Sequence, residues 1–206
     1  MSRLLLVRHG NTKLNSAERF WGQTDVELGD EGIRQAEQLR DRLATEKIDA
    51  VYASNLRRTM KTAEIIVSRH KVDITTCAEL REIDFGKVEG LTFAEISQLY
   101  PDLAKSLAAW KLQTRFPDGE SREEFSDRVH QFLPRLEKHT PEETVMIVAH
   151  SGTMRMLICY LMGLEIWHWR QFRISLGSLS IIDSYPQGAI LSLLNDVSHQ
   201  VSPEVT

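Results

Sequence analysis

Two histidines in the sequence follow short apolar runs, and each stands next to a glycine. Arg8-His9-Gly10 comes after Leu4–Val7, and His150-Ser151-Gly152 comes after the largely β-branched run Val145–Ala149. Such runs are typical of buried strands, and open α/β sheets place ligands at the carboxyl ends of their strands. A helix beginning after the second histidine would add free N–H groups, and the arginine beside the first histidine would add a permanent charge. These residues predict a site for a small anion.

Other signatures of chemistry are missing from the sequence. It contains no GxxxxGK[ST], GxGxxG, HExxH or GxSxG motif, which disfavours nucleotide-hydrolysing, dinucleotide-binding and zinc enzymes. We therefore expect neither a metal ion nor a cofactor. Cys77 and Cys159 form no CxxC pair and stand in apolar context, so we expect two buried thiols. The histidines that we interpret as structural or surface residues are His70, His130, His139, His168 and His199.

The overall charge is mildly acidic. The 206 residues include 25 Lys+Arg and 29 Asp+Glu, for a net charge of −4. This balance argues against general binding to nucleic acids or anionic membranes, although one pocket can still hold a small anion. The N-terminal apolar run is shorter than the ~7–15 residues of a secretory segment, and no stretch approaches the ~20 residues of a membrane span. We therefore expect a cytoplasmic protein, whose oligomeric state stays open.

Strands and helices are predicted to alternate along the chain. The predicted strands are Leu4–Val7, Ala50–Ala53, Val72–Thr75, Val145–Ala149, Ser178–Asp183 and Ala189–Leu194, the last two joined by a turn at Tyr185–Gly188. The predicted helical regions begin near Asp30, after Ser54 and at Ser151, and also occupy most of residues 92–137. This order predicts an α/β three-layer sandwich: a mostly parallel sheet with helices on both faces and an antiparallel edge hairpin. We expect a single domain over residues 1–206, with a frayed tail from about residue 198.

Helix boundaries have specific signals. Asp30 and Ser54 are of the types that cap helices, so each is predicted to be an N-cap. Thr92 with Glu95, and Ser121 with Glu124, match the capping box, in which the two side chains bond each other's backbone N–H. Pro134 interrupts an apolar stripe after the second box, which predicts a kink or an early helix end.

The motif around the first histidine resembles that of a known family. Arg8-His9-Gly10-Asn11-Thr12, with Asn15 following, resembles the RHGxTxxN signature of the histidine phosphatase (phosphoglycerate mutase-like) superfamily. Further blocks in the same order are Gly22-x-x-Asp25-x-x-Leu28, Glu31-Gly32-x-x-Gln35-Ala36, Ser54 to Ala63, Leu80 to Gly90, and Phe116 to Ser121. The resemblance extends over nearly the whole chain and implies the phosphoglycerate mutase-like fold.

The resemblance implies a role for each matching residue. His9 would be the nucleophile that carries a phosphoryl group on a ring nitrogen. Charge on the transferring group would be stabilised by Arg8, Arg58 and His150, with Asn15 as a neutral donor. Glu82 would protonate the leaving oxygen and later deprotonate the attacking water. Alternatives to Arg58 and Glu82 are Arg57, Glu79 and Glu89. Further substrate-binding residues would be Trp21, Gly22 and Ser151.

The resemblance also implies a function, namely metal-independent hydrolysis of a small phosphorylated metabolite through a phosphohistidine. His150-Ser151-Gly152, where the mutases commonly have His-Gly-Asn, favours a hydrolase. Tyr160–Leu164 and Gly177–Ser180 look most similar to α-ribazole phosphatases, which remove a 5′-phosphate during assembly of the cobalamin nucleotide loop. Alternatives are a phosphoglycerate mutase, a broad-specificity phosphatase and an inactive phosphate-binding module. Trp110, Trp167 and Trp169 are interpreted as packing or lid residues.

Overall fold

A mixed sheet lies at the centre of the protein. The computed structural model describes residues 2–14, 19–111 and 113–200. Its strands are β1 (Arg3–Arg8), β2 (Ala50–Ser54), β3 (Ile74–Cys77), β4 (Thr144–Ala149), β5 (Leu179–Tyr185) and β6 (Gly188–Asp196). Within the described residues they form one sheet in the order β3-β2-β4-β1-β5-β6, in which β1 to β4 run parallel. β5 and β6 form an antiparallel hairpin at the edge. The predicted fold class is confirmed.

Helices cover both faces of this sheet. They are α1 (Asp30–Leu43), α2 (Arg57–Val67), α3 (Phe93–Leu99), α4 (Pro101–Ala108), α5 (Arg122–His130) and α6 (Ser151–Leu161). Along β1, Leu4 and Leu6 join the core beneath α5 and α6, whereas Leu5 and Val7 join the core beneath α1 and α2. Because both faces are buried, the strand is a continuous apolar run rather than an alternating one. No helix in the described parts of the chain is both long and apolar enough to cross a membrane.

Both simple N-cap predictions are wrong. α1 has Gly29 as its N-cap, one residue before Asp30, and α2 has Leu56, and neither cap makes a side-chain hydrogen bond. Ser54 instead ends β2, where its hydroxyl is bonded to the ring of His150. A single residue type cannot distinguish a cap from a strand-end residue whose partner lies far away in the sequence.

The two capping boxes are confirmed. The hydroxyls of Thr92 and Ser121 accept hydrogen bonds from the N–H groups of Glu95 and Glu124, and both carboxylates bond back to the cap. α5 ends at His130, before Pro134, and the chain continues as a 3₁₀ helix over Leu133–Lys138.

The third predicted strand is displaced by two residues. It was expected over Val72–Thr75, and β3 covers Ile74–Cys77. Cys77 and Cys159 are buried free thiols, as predicted. Burial raises the pKa of each thiol to about 11, which keeps both protonated at neutral pH.

The loop before β5, residues 172–178, forms hydrogen bonds both with the residues that follow β6 and with Arg8 at the end of β1. The carbonyl of Ile174 in this loop accepts a hydrogen bond from the Arg8 guanidinium at 2.6 Å. On the other side, His199 and Gln200 bond backbone carbonyls of the loop at 2.9 and 2.8 Å. Residues 199 and 200 of the expected frayed tail thus have hydrogen-bond partners, and residues 201–206 lie outside the described chain.

Candidate active site

The two histidines of the sequence motifs meet at the carboxyl ends of the parallel strands. Arg8 pairs with Ala149 in the register of β1 and β4, so His9 and His150 follow neighbouring strands side by side. Their ring centroids lie 5.1 Å apart in an edge-to-face arrangement. Both rings line a cavity of about 440 Å³, which we call the phosphate cavity after the ligand that the sequence resemblance implies. Its other lining residues include Arg8, Arg58, Glu82 and Arg155.

His9 is held as a neutral ring whose second nitrogen has no hydrogen-bond partner among residues 2–14, 19–111 and 113–200. Its Nδ1 lies 2.7 Å from the carbonyl of Gly10, and a carbonyl can only accept, so Nδ1 carries the proton. Burial, with the nearby charges of Arg58 and Arg8, lowers the pKa of His9 well below its usual range. Nε2 therefore has a lone pair at neutral pH, as a nucleophile requires.

Both ring nitrogens of His150 have protein partners. Nδ1 accepts from the Nε of Arg58 at 3.3 Å, so Nε2 carries the proton and donates to the Ser54 hydroxyl at 2.9 Å. Burial is the main cause that lowers the pKa of His150, and the charge of Arg58 adds to it. The ring is 1% exposed and fixes the position of Arg58. The sequence predicted that His150 stabilises the anion, and in the structure its ring lines the cavity and bonds Arg58.

Arg58 rather than Arg57 lies in the cavity. Arg58 is 2% exposed, and its two terminal nitrogens donate to the carbonyls of Thr24 and Gly22 at 2.8 and 2.5 Å. Arg57 is exposed and pairs with Glu27. The choice between the two arginines was made from the family motif, and the structure places the chosen one beside His150.

Arg8 supplies a second cation at the back of the phosphate cavity. Burial is the largest cause that lowers the pKa of Arg8, to about 10, and the charge of Glu82 acts in the opposite direction. The guanidinium therefore remains charged at neutral pH. One terminal nitrogen is occupied by the carbonyl of Ile174, which fixes the orientation of the group.

Glu82 occupies the N-terminus of α6. One of its oxygens accepts from the N–H of Gly152 at 2.9 Å, and the other accepts from the N–H of Ile83 at 3.1 Å. A Cβ atom on Gly152 would lie 2.3 Å from the carboxylate, so only glycine permits this contact. The sequence predicted that this helix end would hold an anion, and in the structure the Glu82 side chain lies there. Glu79 points elsewhere and pairs with Arg135 at 2.8 Å.

Glu89 organises the loop that holds Arg58. Its carboxylate accepts from the backbone N–H groups of Gly22, Gln23 and Thr24 at 2.8–3.3 Å. The carbonyls of the same loop bind Arg58. Gly22 was expected to bind substrate, but its N–H and its carbonyl are both used within this framework. Glu89, considered from the sequence only as an alternative to Glu82, therefore acts as a positioning residue.

The Glu89→Gln variant should lose activity because the loop that positions Arg58 would be weakened. Glutamine has one acceptor oxygen, and its NH₂ group would face backbone N–H donors, which costs about 1–3 kcal/mol in a partly buried position. We expect roughly tenfold lower kcat/KM for p-nitrophenyl phosphate and a higher Ki for inorganic phosphate. Glu124→Gln is the matched control, because Glu124 also binds backbone N–H groups but lies in a capping box that tolerates glutamine. Unchanged kcat/KM and Ki in Glu89→Gln would show that Arg58 does not depend on Glu89.

A second cavity, of about 470 Å³, adjoins the phosphate cavity. The two share Arg19, Trp21, Glu82 and Arg155 among their lining residues. The second cavity, which we call the aromatic cavity, is also lined by Phe20, Phe85, Phe93, Trp110, Phe116, Phe125, Ser151 and Trp169. Its walls suit a flat or apolar group.

Two arginines of these cavities were not predicted as site residues from the sequence. Arg122 is 5% exposed, and its guanidinium lies 5.5 and 5.7 Å from the ring centroids of Trp110 and Trp169. Arg155 lies four residues after Ser151, at the spacing that places both on one side of α6, which is a signal the sequence did offer. Asn15, the expected neutral donor, lies outside the described residues.

Comparison with known proteins identifies the family. A model of the histidine phosphatase superfamily (branch 1) matches residues 4–197. The curated protein "Probable phosphoglycerate mutase GpmB" of Citrobacter koseri is 33% identical over 208 residues, 98% of this chain and 97% of that protein. The structure of α-ribazole phosphatase from Shigella flexneri has a TM-score of 0.87 at 30% identity, covering 98% of this chain and 100% of that one.

A phosphoserine phosphatase from Entamoeba histolytica also has a similar structure, with a TM-score of 0.84 at 26% identity over 98% of this chain and 100% of that one. The family match extends over nearly the whole chain, and it includes the segments that contribute His9, Arg58, Glu82 and His150. The resemblance noted in the sequence is therefore confirmed, and the chain belongs to the histidine phosphatase superfamily, branch 1.

Proposed function

We propose that this protein is a metal-independent phosphatase that hydrolyses a small phosphomonoester through a phosphohistidine on His9. The observation that carries the proposal is the neutral His9 ring, whose Nε2 lone pair belongs to a cavity that is also lined by Arg8, Arg58 and the carboxyl group of Glu82. Arg8 and Arg58 supply fixed positive charge for the oxygens of the transferring group, the role that metal ions take in other phosphatases.

The proposed reaction has two steps. Nε2 of His9 attacks phosphorus, the ester P–O bond breaks, and the Glu82 carboxyl gives its proton to the leaving oxygen. Water then attacks the phosphohistidine while the Glu82 carboxylate takes a proton from it, the P–N bond breaks, and inorganic phosphate leaves. His9 and Glu82 return to their starting forms. The hydrogen bond from Nδ1 to the Gly10 carbonyl keeps the same ring nitrogen directed at phosphorus in both steps.

The specific substrate that we propose is α-ribazole 5′-phosphate. The likeness to an α-ribazole phosphatase of Shigella flexneri over the full length of both chains supports it. The aromatic cavity beside Glu82 supports it too, because the planar base of the leaving α-ribazole would lie against indole and phenyl walls. The second candidate is isomerisation of phosphoglycerate by a mutase, which the name of the curated relatives favours. Phosphoglycerate, however, has no apolar part to fill the aromatic cavity.

A substrate panel with a chelator present tests the proposal. Purified protein in EDTA would be given α-ribazole 5′-phosphate, p-nitrophenyl phosphate, phosphoserine and 3-phosphoglycerate, with phosphate release and phosphoglycerate isomerisation both measured. We expect hydrolysis without metal and at least tenfold higher kcat/KM for α-ribazole 5′-phosphate than for the other esters. Strict metal dependence would refute the phosphohistidine route, and isomerisation faster than hydrolysis would select the mutase. Phosphate binding without any turnover would indicate an inactive binding module.

A further inference from the structure

We propose that Arg155 is a third phosphate-binding arginine, which donates hydrogen bonds to the transferring phosphoryl group alongside Arg8 and Arg58. This inference rests on the proposed phosphatase function and adds a residue to its substrate site. Arg155 is partly buried on α6 and lines both cavities, beside the Glu82 carboxylate. It therefore lies where the phosphoryl group and the leaving group of a bound ester would join.

The donors of Arg155 have no acceptor among the described residues. Its Nε is enclosed without a hydrogen-bond partner, and its guanidinium forms no ion pair within those parts of the chain. The contact that it does make is with the ring of Trp169, whose centroid lies 5.8 Å from the guanidinium carbon. By contrast, Arg58 uses three of its nitrogens on protein acceptors, and Arg19 in the same wall pairs with Glu95 at 3.0 Å. Arg155 is thus a desolvated cation with donors free for a ligand.

Arg155 adds positive charge to the wall of the phosphate cavity. The electrostatic field of Glu82 acts on Arg8, Arg58 and Arg155, and the charge of Arg155 lowers the pKa of Arg8, so these groups lie close enough to act on one ligand. The pKa values of both histidines are lowered well below their usual range, so these rings add no charge at pH 7. The arginines therefore supply the positive charge that a phosphate monoester of about −2 requires.

Inorganic phosphate provides the test, because it has no leaving group. Its Ki would be measured against p-nitrophenyl phosphate, and its Kd by calorimetry, for the wild type, Arg155→Met and Arg155→Lys. We expect Ki and Kd to rise by about tenfold to a hundredfold in Arg155→Met, as loss of a charge-assisted hydrogen bond implies. Arg155→Lys, which keeps the charge but not the planar fork, should show a smaller rise.

Arg170→Met is the matched control, since the Arg170 guanidinium also stacks on a tryptophan, at 5.8 Å from the Trp110 ring, but does not line the phosphate cavity. It should keep the wild-type affinity for phosphate. Wild-type Ki and Kd in a folded Arg155→Met variant would overturn the inference, and a raised KM for α-ribazole 5′-phosphate alone would assign Arg155 to the leaving group instead. Because calorimetry needs no turnover, it tests Arg155 even if the proposed hydrolysis fails.

Discussion

His9→Ala should abolish turnover of p-nitrophenyl phosphate, with kcat lower by about 10⁴-fold or more, the scale seen when a covalent nucleophile is removed. The reason is that no other side chain described in the cavity wall offers a comparable neutral nitrogen: both nitrogens of His150 have partners, Arg58 and Ser54. The shortened side chain leaves the cations of the cavity in place, so phosphate should still bind. The variant therefore separates catalysis from binding.

The measurement is steady-state hydrolysis in EDTA, together with trapping of acid-labile, base-stable label from a radioactive phosphate ester. Wild type should label on His9, and His9→Ala should not. Because burial and the nearby arginines lower the pKa of His9, its ring stays neutral as the pH falls through 6.5, and labelling should persist below that pH. His168→Ala is the control, as His168 bonds Gln171 outside both cavities. Near-normal turnover in His9→Ala would rule out the phosphohistidine mechanism.

Glu82→Gln should produce the second largest loss, of about 10²–10⁴-fold in kcat, the usual contribution of a general acid and base. An amide cannot protonate the leaving oxygen, and it cannot take the proton of the attacking water. The loss should be smaller for p-nitrophenyl phosphate than for an alkyl phosphate in the first step, since p-nitrophenolate leaves without protonation. The second step needs a base for the attacking water whichever ester was used, so phosphohistidine should accumulate.

Rapid quenching of the reaction would reveal that accumulation as a burst of p-nitrophenolate followed by slow turnover. Glu79→Gln is the control, because Glu79 is three residues away and pairs with Arg135 outside the phosphate cavity. Equal losses for aryl and alkyl phosphates, without a burst, would show that Glu82 acts through structure rather than through proton transfer. Thermal unfolding of Glu82→Gln would measure how much of the contact with Gly152 the amide retains.

The features that the sequence predicted correctly depend on local signals. Buried parallel strands are continuous apolar runs, and a capping box needs only residues three apart, as in Thr92 and Glu95. The meeting of His9 and His150 was also predictable, because both follow strands and strand ends share one edge of a sheet. The choice of Arg58 over Arg57 required the family motif, since local pattern alone showed only which helix side is apolar.

The features that could not be predicted depend on partners distant in the sequence. Ser54 bonds a ring 96 residues away, and Glu82 bonds an N–H 70 residues away at the start of α6. The Ser54 hydroxyl could have capped a helix, and the N–H groups at the start of α6 could have bound an external anion. In the structure each is used by a tertiary contact instead. The aromatic cavity has the same origin, because Trp110 and Trp169 come together from separate segments, with ring centroids 6.0 Å apart.

The contacts of residues 199 and 200 with the 172–178 loop affect where the chain can be trimmed or fused when the protein is produced. His199 and Gln200 bond this loop, and the loop in turn holds Arg8 through the carbonyl of Ile174. Trimming the chain directly after β6 would remove both bonds and loosen a cation of the phosphate cavity. Fusion partners are better joined ahead of β1, because this central strand begins at the far end from its carboxyl terminus, where the cavity lies.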